Sequence, residues 1–420
     1  MGQLGQMLIG VSDVFVAGRH STEYLAAVGL AMGIIAPVFV VGLGFLFGTS
    51  AVISRHRGEG KEVDQYLFSS IIYSLGLSLL FILLSIATKW LVPYLGFEQG
   101  LVPLIQDYIL YFAFSFLGAY VFQVLREFLQ GKEDVIFANF ISIATVGLNV
   151  LFCFILVFGY KFIPALGIKG LALGSILARV LAAIFLLIYS WRFFKSYKID
   201  WIYIREVFSL SWPIAISILV EVGAFSFCTI MIGRMGLFQA AAHNIVINLT
   251  SVTFMVPLAI STAIAVKISY AYGQKNYPDI LRYTKAGLTL SLLFMSCTGL
   301  SFYFIPNVFS QIFTDNTQVI QIVATLLIAV ALFQIFDGTQ ICLAGALRGV
   351  GHSQPQAYIM FLGYWVLGLP LGWYLANIQN LYAFGFWLGL ALALSIAGIS
   401  MLLAVIYFYK KIKKECVNIF

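Results

Sequence analysis

Three acidic side chains stand inside stretches of sequence that are apolar enough to cross a membrane: Asp13, Glu221 and Asp337. A charged side chain at the centre of a bilayer costs roughly 2.5–3.5 kcal/mol on insertion scales. A proton, a bound cation, a basic partner or a water-filled cavity must offset that cost. A carboxyl group in such a place can exchange a proton for a cation as its cavity opens and closes. The alternative is a neutral acid whose hydrogen bonds hold neighbouring helices together, and the sequence leaves it open for each residue.

A fourth polar side chain in an apolar run is Asn149, four residues before Cys153. Its amide can coordinate a cation or bond to a neighbouring helix, and the sequence does not decide between these roles. Patterns for other chemistry are missing. The sequence contains no Gly-x-x-x-x-Gly-Lys-Ser/Thr phosphate loop, its four His are scattered, and its five Cys show no paired spacing. We therefore expect a protein that is not an enzyme and has no resident cofactor.

The composition indicates an integral membrane protein made of helices. Of the 420 residues 61% are hydrophobic and 10% are charged, against about 25% charged in ordinary soluble domains. The chain has room for about twelve helices of some 25 residues with short loops. The net charge of +7 does not predict a nucleic-acid partner, because the basic residues lie mostly in the short polar breaks between apolar runs.

Twelve apolar runs, six in each half, predict membrane-spanning helices. We expect them over residues 1–18, 24–54, 65–95, 103–129, 135–159, 167–191, 207–233, 238–270, 280–306, 318–347, 355–376 and 383–409. The first run is expected to be helix 1 and not a cleavable signal peptide, since no basic segment precedes it.

The basic residues predict the orientation. Of the 24 Lys and Arg, 18 lie in or close to alternate breaks, about five lie on the opposite side, and Arg179 is intramembrane. The basic side should be cytoplasmic, with both termini inside the cell. The basic breaks are residues 55–64, 130–134, 192–205, 272–279, 348–353 and 410–414.

The two halves of the sequence repeat. With a shift of 215 and no gap, residues 18–64 align with 233–279 at 11 identities in 47 positions, including Gly58 with Gly273. Six helices per repeat give both halves the same orientation, so we expect a pseudo-twofold axis along the membrane normal. Such architectures place a substrate cavity between the halves and work by alternating access.

The repeat predicts the domain limits. We expect an N-terminal six-helix bundle over 1–192, a cytoplasmic linker over 193–206 and a C-terminal bundle over 207–420. The linker can form part of an amphipathic surface helix. The first half has no counterpart of the segment that precedes helix 7, and a short natural start and a truncated start both remain open.

Three motifs carry a family resemblance. They are Gly10-Val-Ser-Asp13-Val-Phe-Val-Ala-Gly18, Glu221-Val-Gly-Ala-Phe225, and Asp337-Gly-Thr-Gln340 with Arg348-Gly349 downstream. Together they resemble the multidrug and toxic compound extrusion (MATE) family in its NorM-like branch, over nearly the whole chain. The resemblance implies two six-helix bundles that export organic cations in exchange for Na⁺ or H⁺.

The resemblance also implies site residues. Asp13 and Asn149 fall at family cation-site positions of the first bundle, and Glu221 and Asp337 at those of the second, where Na⁺ would bind. Ser175 falls where some members carry a Thr ligand.

Two positions depart from the family pattern. Cys153, kept as an additional cation-site position, stands where an Asn or Asp is usual, and Phe333 stands where NorM-like members can carry Tyr. Phe333 and Gln340 are assigned to the substrate cavity. Because of these departures, which bundle holds the coupling ion stays open.

The leading hypothesis is therefore an ion-coupled multidrug exporter of the bacterial inner membrane, acting as a monomer on small organic cations. The alternative is a flippase for lipid-linked precursors from the same broad superfamily. A flippase would be expected to line its cavity with several basic residues, whereas the intramembrane charges here are mainly acidic. A membrane-embedded enzyme comes third. The natural substrate and the choice between Na⁺ and H⁺ stay open.

Overall fold

The computed structural model describes residues 2–160 and 164–417, and within these ranges the chain consists of helices and turns without β-sheet. Among the described residues, eleven helical spans are long and apolar enough to cross a membrane, and a further helix, Gly2–His20, precedes them. Large apolar side chains on their outer faces are exposed, as Leu79, Leu293 and Leu403 illustrate. So many exposed apolar side chains suit a surface that lies in lipid.

The part of the chain that the structure describes forms sixteen α-helical segments, numbered here in chain order, with short 3₁₀ turns between some of them. They are α1 Gly2–His20, α2 Thr22–Gly44, α3 Thr49–Gly58, α4 Leu67–Thr88, α5 Leu101–Ala113, α6 Ser115–Gly131, α7 Ile136–Phe158, α8 Gly167–Ser190, α9 Trp201–Gly233, α10 Leu237–Gly273, α11 Tyr277–Phe304, α12 Pro306–Gln311, α13 Thr317–Gly349, α14 Gln354–Phe361, α15 Leu369–Asn377 and α16 Tyr382–Val417.

Contacts divide the chain into two compact units. The first comprises Met1–Ile53 with Gly60–Ala215, and the second comprises Ser54–Glu59 with Ile216–Phe420. The functional domain limits expected at residues 192 and 207 stay predictions, because a boundary between contact units does not test them.

In the first unit, α8 packs against α5, α6 and α7, and α1 packs against α2 and α7. Glycines bring α8 close to α7. A Cβ on Gly174 would lie 2.7 Å from the backbone nitrogen of Cys153, and one on Gly170 would lie 2.3 Å from the carbonyl oxygen of Leu156. No side chain fits at either position, so the two backbones meet. This close approach places Ser175 of α8 beside the polar residues of α7.

In the second unit, α13 packs against α10, α11 and α16. Two serine hydroxyls from neighbouring helices donate hydrogen bonds to backbone carbonyls of α13. Ser261 bonds to Ile341 at 2.6 Å and Ser291 bonds to Gly338 at 2.9 Å. Such bonds between helices fix the face that α13 presents to its neighbours.

The predicted helix 2, over residues 24–54, is interrupted by a turn at residues 45–48. The backbone N–H of Leu46 bonds to Leu43, three residues back, as in a 3₁₀ turn. At the end of the turn the N–H of Gly48 bonds to the Ser211 hydroxyl at 3.0 Å, and a Cβ on Gly48 would lie 2.3 Å from that oxygen. The glycine is therefore needed for this contact.

The predicted helix 11 also contains an irregular turn. Between α14 and α15, residues Leu362–Gly368 form a π-helical turn in which the N–H of Leu369 bonds to the Tyr364 carbonyl, five residues back. Pro370 follows at once and has no N–H to continue the ordinary ladder. The wider turn accommodates the missing donor.

The predicted helix 7 begins earlier than expected, at Trp201 instead of residue 207. The Asp200 carboxylate accepts a 2.9 Å hydrogen bond from the backbone N–H of Tyr203 in the first turn. Asp200 therefore acts as an N-cap that starts the helix within the predicted linker. Residues 194–200 have no regular structure.

Three of the basic breaks lie at the same end of the first unit. Ion pairs connect the segments near residues 62–64, 132–134 and 192–195. The pairs are Lys132 with Asp64, Lys195 with Glu62, and Arg192 with Asp134. These three segments therefore lie together, and the side of the membrane that they face stays a prediction.

Candidate functional site

The first candidate site surrounds Asp13 of α1, whose side chain is fully buried. The Ser175 hydroxyl lies 2.8 Å from each oxygen of the Asp13 carboxylate. The Asn149 amide nitrogen is 3.2 Å from Oδ1, and the Cys153 Sγ is 3.5 Å from the same oxygen. The Tyr108 hydroxyl is 3.3 Å from Oδ2. The helices α5, α7 and α8 each supply part of this shell.

The hydrogen bonds run toward the carboxylate. The Asn149 NH₂ group can only donate, and it also donates to Ser175 Oγ at 2.9 Å, which leaves the serine hydrogen for Asp13. The other end of the amide, Oδ1, is held by Ser12. Four donors around one carboxylate favour its ionised form. A protonated Asp13 would itself be a donor, and one of the four neighbours would have to turn an acceptor toward it. Protonation of Asp13 must therefore rearrange this network.

Arg179 supplies a positive charge near this site. It lies one helical turn beyond Ser175 on α8, and its guanidinium interacts electrostatically with the Asp13 carboxylate. The sequence leaves open what offsets the free-energy cost of burying the Asp13 charge. A basic partner is one of the possibilities named above. The structure thus gives Asp13 both neutral donors and a cationic neighbour.

The second candidate site contains Glu221 of α9 and Asp337 of α13. Asp337 is 4% exposed and Glu221 is partly buried. The two carboxyl groups are within electrostatic reach of each other. The hydroxyl of Tyr364, in the π-helical turn, is within reach of both and has no hydrogen-bond partner among the described residues.

Gln340 lies one turn from Asp337 on the same face of α13, because residues three apart are neighbours on a helix. It is 1% exposed, and neither atom of its amide group finds a hydrogen-bond partner in the part of the chain that the structure describes. An unsatisfied buried amide is costly, so a ligand or water is expected to meet it.

Phe333 is enclosed by aromatic rings. Its ring centroid lies 5.5 Å from that of Trp387 and 6.2 Å from that of Phe225. The Trp387 indole donates a 3.2 Å hydrogen bond to His243 Nδ1, and His243 Nε2 lies 3.0 Å from the Thr229 hydroxyl. Since indole N–H can only donate, this His243 nitrogen is unprotonated.

Of the predicted site residues, the structure brings Asp13, Asn149, Cys153 and Ser175 into one cluster. It places Glu221 near Asp337, and puts Phe333 and Gln340 on the same helix as Asp337.

The sequence did not indicate three further polar neighbours: Ser12, Tyr108 and Tyr364. Ser12 could have been found from the sequence, because it is next to Asp13. The two tyrosines carry none, being two of 22 in the chain.

Comparison with known proteins identifies the family. The family model described as MatE matches residues 1–155 and 213–374. The chain belongs to the MatE family. A protein of Mesorhizobium japonicum named "Probable multidrug resistance protein NorM" is 30% identical to this MatE chain over 421 residues, covering 95% of the chain and 89% of the relative. A protein of the same name from Photorhabdus laumondii is 28% identical over 416 residues, covering 95% and 91%.

Solved MATE transporter structures share the fold of this MatE chain. "Crystal structure of Vibrio cholerae MATE transporter VcmN in the bent form" matches with a TM-score of 0.86 at 22% identity, covering 100% of this chain and 95% of that one. The eukaryotic MATE transporter AtDTX14 matches with a TM-score of 0.87 at 18% identity, covering 99% and 95%.

These findings confirm the predicted family and the predicted class, an all-α membrane protein with two bundles of helices. This MatE protein is therefore a multi-pass membrane transporter.

Proposed function

We propose that this MatE protein exports small organic cations by alternating access, in exchange for Na⁺ or H⁺. The observation that carries the proposal is the pair of carboxyl groups of Glu221 and Asp337 within reach of each other in an apolar bundle. Two ionised carboxylates within electrostatic reach of each other repel, and a cation bound near both relieves the repulsion. A substrate cation and a coupling ion can therefore compete for the same negative charge.

The relatives support an exporter. The matched NorM proteins bear the name of multidrug resistance proteins and align over nearly their whole length. The surroundings of the pair also suit a hard cation, because the amide oxygen of Gln340 and the hydroxyl of Tyr364 are oxygen donors without hydrogen-bond partners among the described residues. Within the same residues no group of three or more His, Cys, Asp or Glu is placed to hold a metal ion. Sodium would therefore rest on two carboxylates completed by neutral oxygens.

The test is transport of ethidium, a flat organic cation, into proteoliposomes under separately imposed Na⁺ and pH gradients. Wild-type protein should transport ethidium under at least one gradient. Glu221→Gln and Asp337→Asn should each lose most of that transport, because each keeps the shape and removes the charge. The matched control is Asp315→Asn, which removes an exposed carboxylate before α13 and should transport like wild type.

Two results would contradict the proposal in different ways. If wild-type protein moves ethidium under neither gradient, the proposed cation antiport is wrong. If both site variants transport as well as Asp315→Asn, the protein is an exporter whose coupling does not depend on Glu221 and Asp337.

A further inference from the structure

The first turns of α9 carry a basic residue on the side that faces away from the protein. Tyr203, Val207 and Leu210 are buried and form the packed side of these turns. The exposed side chains of the same turns are Trp201, Ile202, Arg205, Phe208 and Ser209. Residues three and four apart lie next to each other on a helix, so these five form one outward stripe. Arg205 therefore stands among large apolar side chains and not in a polar loop.

The length of α9 places this stripe at the headgroups of a bilayer. Its 33 residues span about 50 Å at 1.5 Å per residue, whereas the hydrocarbon core measures about 30 Å and the whole bilayer about 40–45 Å. From residue 207 to residue 233 the one charged residue in the sequence is Glu221, so this part fills the hydrocarbon core. Trp201, which is 70% exposed, then lies at the level where tryptophan is enriched in membrane proteins.

Four basic residues lie between positions 192 and 205, and two of them have acidic partners. The pairs are Arg192 with Asp134 and Lys195 with Glu62. Lys198 and Arg205 are exposed, and neither side chain has a hydrogen bond or an ion pair to the residues that the structure describes. Their positive charge is therefore available to an anion from outside the protein.

The two acids nearest to Arg205 in the sequence have other places in the fold. The Asp200 carboxylate accepts the hydrogen bond from the backbone N–H of Tyr203, and Glu206 is partly buried on the packed side of the helix. The backbone N–H of Asp200 donates a 2.9 Å hydrogen bond to the Ser69 hydroxyl, which holds the start of α9 against α4. The fold thus fixes the backbone beside Arg205, while its guanidinium has no acidic partner among the described residues.

We propose that Arg205 binds the phosphate of an anionic phospholipid and that Lys198 adds positive charge at the same end of α9. A guanidinium donates two parallel hydrogen bonds to phosphate oxygens, and a lysine acts as a point charge. Trp201, Ile202 and Phe208 supply apolar surface for the acyl chains. A zwitterionic phospholipid carries its own ammonium group, so the basic residues prefer a lipid with a net negative charge. The proposal concerns a lipid partner and does not rest on the proposed export function.

The test measures which phospholipid lies next to Arg205. Ser209 is exposed one turn further along the same stripe, so Ser209→Cys can carry a bimane fluorophore once the five native cysteines are replaced. The labelled protein is placed in phosphatidylcholine nanodiscs. A small fraction of the lipid, either phosphatidylglycerol or phosphatidylcholine, carries a nitroxide near the headgroup end of one acyl chain. The nitroxide quenches bimane at short range, so the two quenching curves give the relative association constants of the two lipids at this position.

Phosphatidylglycerol should associate about fivefold or more tightly than phosphatidylcholine beside the label, since one basic residue near a membrane surface contributes about this factor. Arg205→Gln should lose most of this preference, and Lys198→Gln should lower it in part. Arg205→Lys should keep part of it, because the charge stays and the two parallel hydrogen bonds are lost. The matched control is Arg234→Gln, which removes an exposed basic residue just beyond the other end of α9 and should keep the full preference.

Three results would overturn the proposal. Equal quenching by the two lipids in the labelled protein without further substitution would show that no anionic lipid is selected beside Arg205. Full preference in Arg205→Gln would mean that Arg205 is not the partner of the lipid. An equal loss in Arg234→Gln and Arg205→Gln would show that the net charge of the protein, and no site on α9, attracts the lipid. Because these side chains are exposed, each variant should melt near the wild-type temperature, which shows that it is folded.

Discussion

Asp13 occupies the most completely bonded polar environment among the candidate site residues. Its four donors come from side chains on three other helices, so the ionisation state of one carboxyl group affects how α1 packs against α5, α7 and α8. At the position equivalent to Asp13 in the repeat stands Cys228. The repeat therefore does not require an acid here, which supports a role specific to the first bundle.

We expect Asp13→Asn to reduce ethidium transport in proteoliposomes strongly under an imposed pH gradient. The amide has nearly the same shape, but it cannot exchange a proton, and its NH₂ group would face donors instead of acceptors. Transport should be measured with and without Na⁺. Undiminished transport in both conditions would limit Asp13 to helix packing and leave Glu221 and Asp337 as the coupling site.

Ser175 and Ser78 provide a matched pair for the same assay. The Ser175 hydroxyl bonds to both oxygens of Asp13, whereas the buried Ser78 hydroxyl bonds to the Ser74 carbonyl of its own helix. Ser175→Ala should therefore slow transport about tenfold or more, on the basis of about 1.5–3 kcal/mol for a hydrogen bond to a charged group. Ser78→Ala should leave ethidium transport close to wild type. If the two variants slow transport equally, the bond from Ser175 to Asp13 has no particular part in transport.

The sequence predicts the charged members of the sites better than the neutral ones. An acid such as Asp13 or Asp337 is conspicuous in an apolar run, because its insertion cost demands an explanation. Tyr108 and Tyr364 are ordinary membrane residues by type. Their importance depends on which helix face meets which, and that is set by packing between distant segments. Arg179 stands out in the sequence as intramembrane, but Phe39 and Phe112, whose ring centroids lie 4.8 Å from its guanidinium carbon, do not.

At the scale of elements, two glycines that match in the repeat meet each other. Gly58 ends α3 and Gly273 ends α10, both in the second unit. A Cβ on Gly58 would lie 2.2 Å from the Tyr270 carbonyl oxygen, and a Cβ on Gly273 would lie 2.2 Å from the Arg55 carbonyl oxygen. Because the opposing atoms are backbone, they cannot move aside without separating the helices.

Gly273→Ala should therefore lower the free energy of unfolding by about 1–3 kcal/mol, as overpacking does in well-packed cores. Thermal unfolding in detergent, followed by tryptophan fluorescence, measures the change. The control is Gly76→Ala in α4, where a Cβ meets no atom within 4 Å. That variant should melt at or above the wild-type temperature because alanine favours the helix. If Gly273→Ala melts at the same temperature as Gly76→Ala, the contact between α3 and α10 is loose.

The sequence predicts the first and last residues of a helix well where a polar break or a capping residue marks them. It predicts them less well where irregular backbone lies inside an apolar run. The predicted helix 5, 135–159, agrees with α7, Ile136–Phe158, within one residue at each end. The turn at residues 45–48 has no polar residue before Thr49, and its contact with Ser211 joins positions 163 residues apart. Apolarity alone does not distinguish a straight helix from an interrupted one in such a segment.

At the scale of the whole molecule, orientation in the membrane is a prediction from charge. Of the 24 Lys and Arg, 18 lie in or close to the basic breaks, and ion pairs join three of these breaks at one end of the first unit. Short loops rich in Lys and Arg stay in the cytoplasm during insertion. The loops near Gly60, Ser196 and Gln274 should therefore be cytoplasmic, and Glu98 and Asn380 should face outward.

Single-cysteine labelling of intact cells with a membrane-impermeant maleimide tests this orientation. The background replaces the five native cysteines, so that only the introduced cysteine can react. Glu98→Cys and Asn380→Cys should be labelled in intact cells, since both positions are exposed on the side with few basic residues. Ser196→Cys should be labelled only after permeabilisation, because the adjacent Lys195 and Lys198 hold its loop inside. Labelling of Ser196→Cys but not of Glu98→Cys in intact cells would reverse the topology, and with it the direction in which the proposed gradients drive substrate.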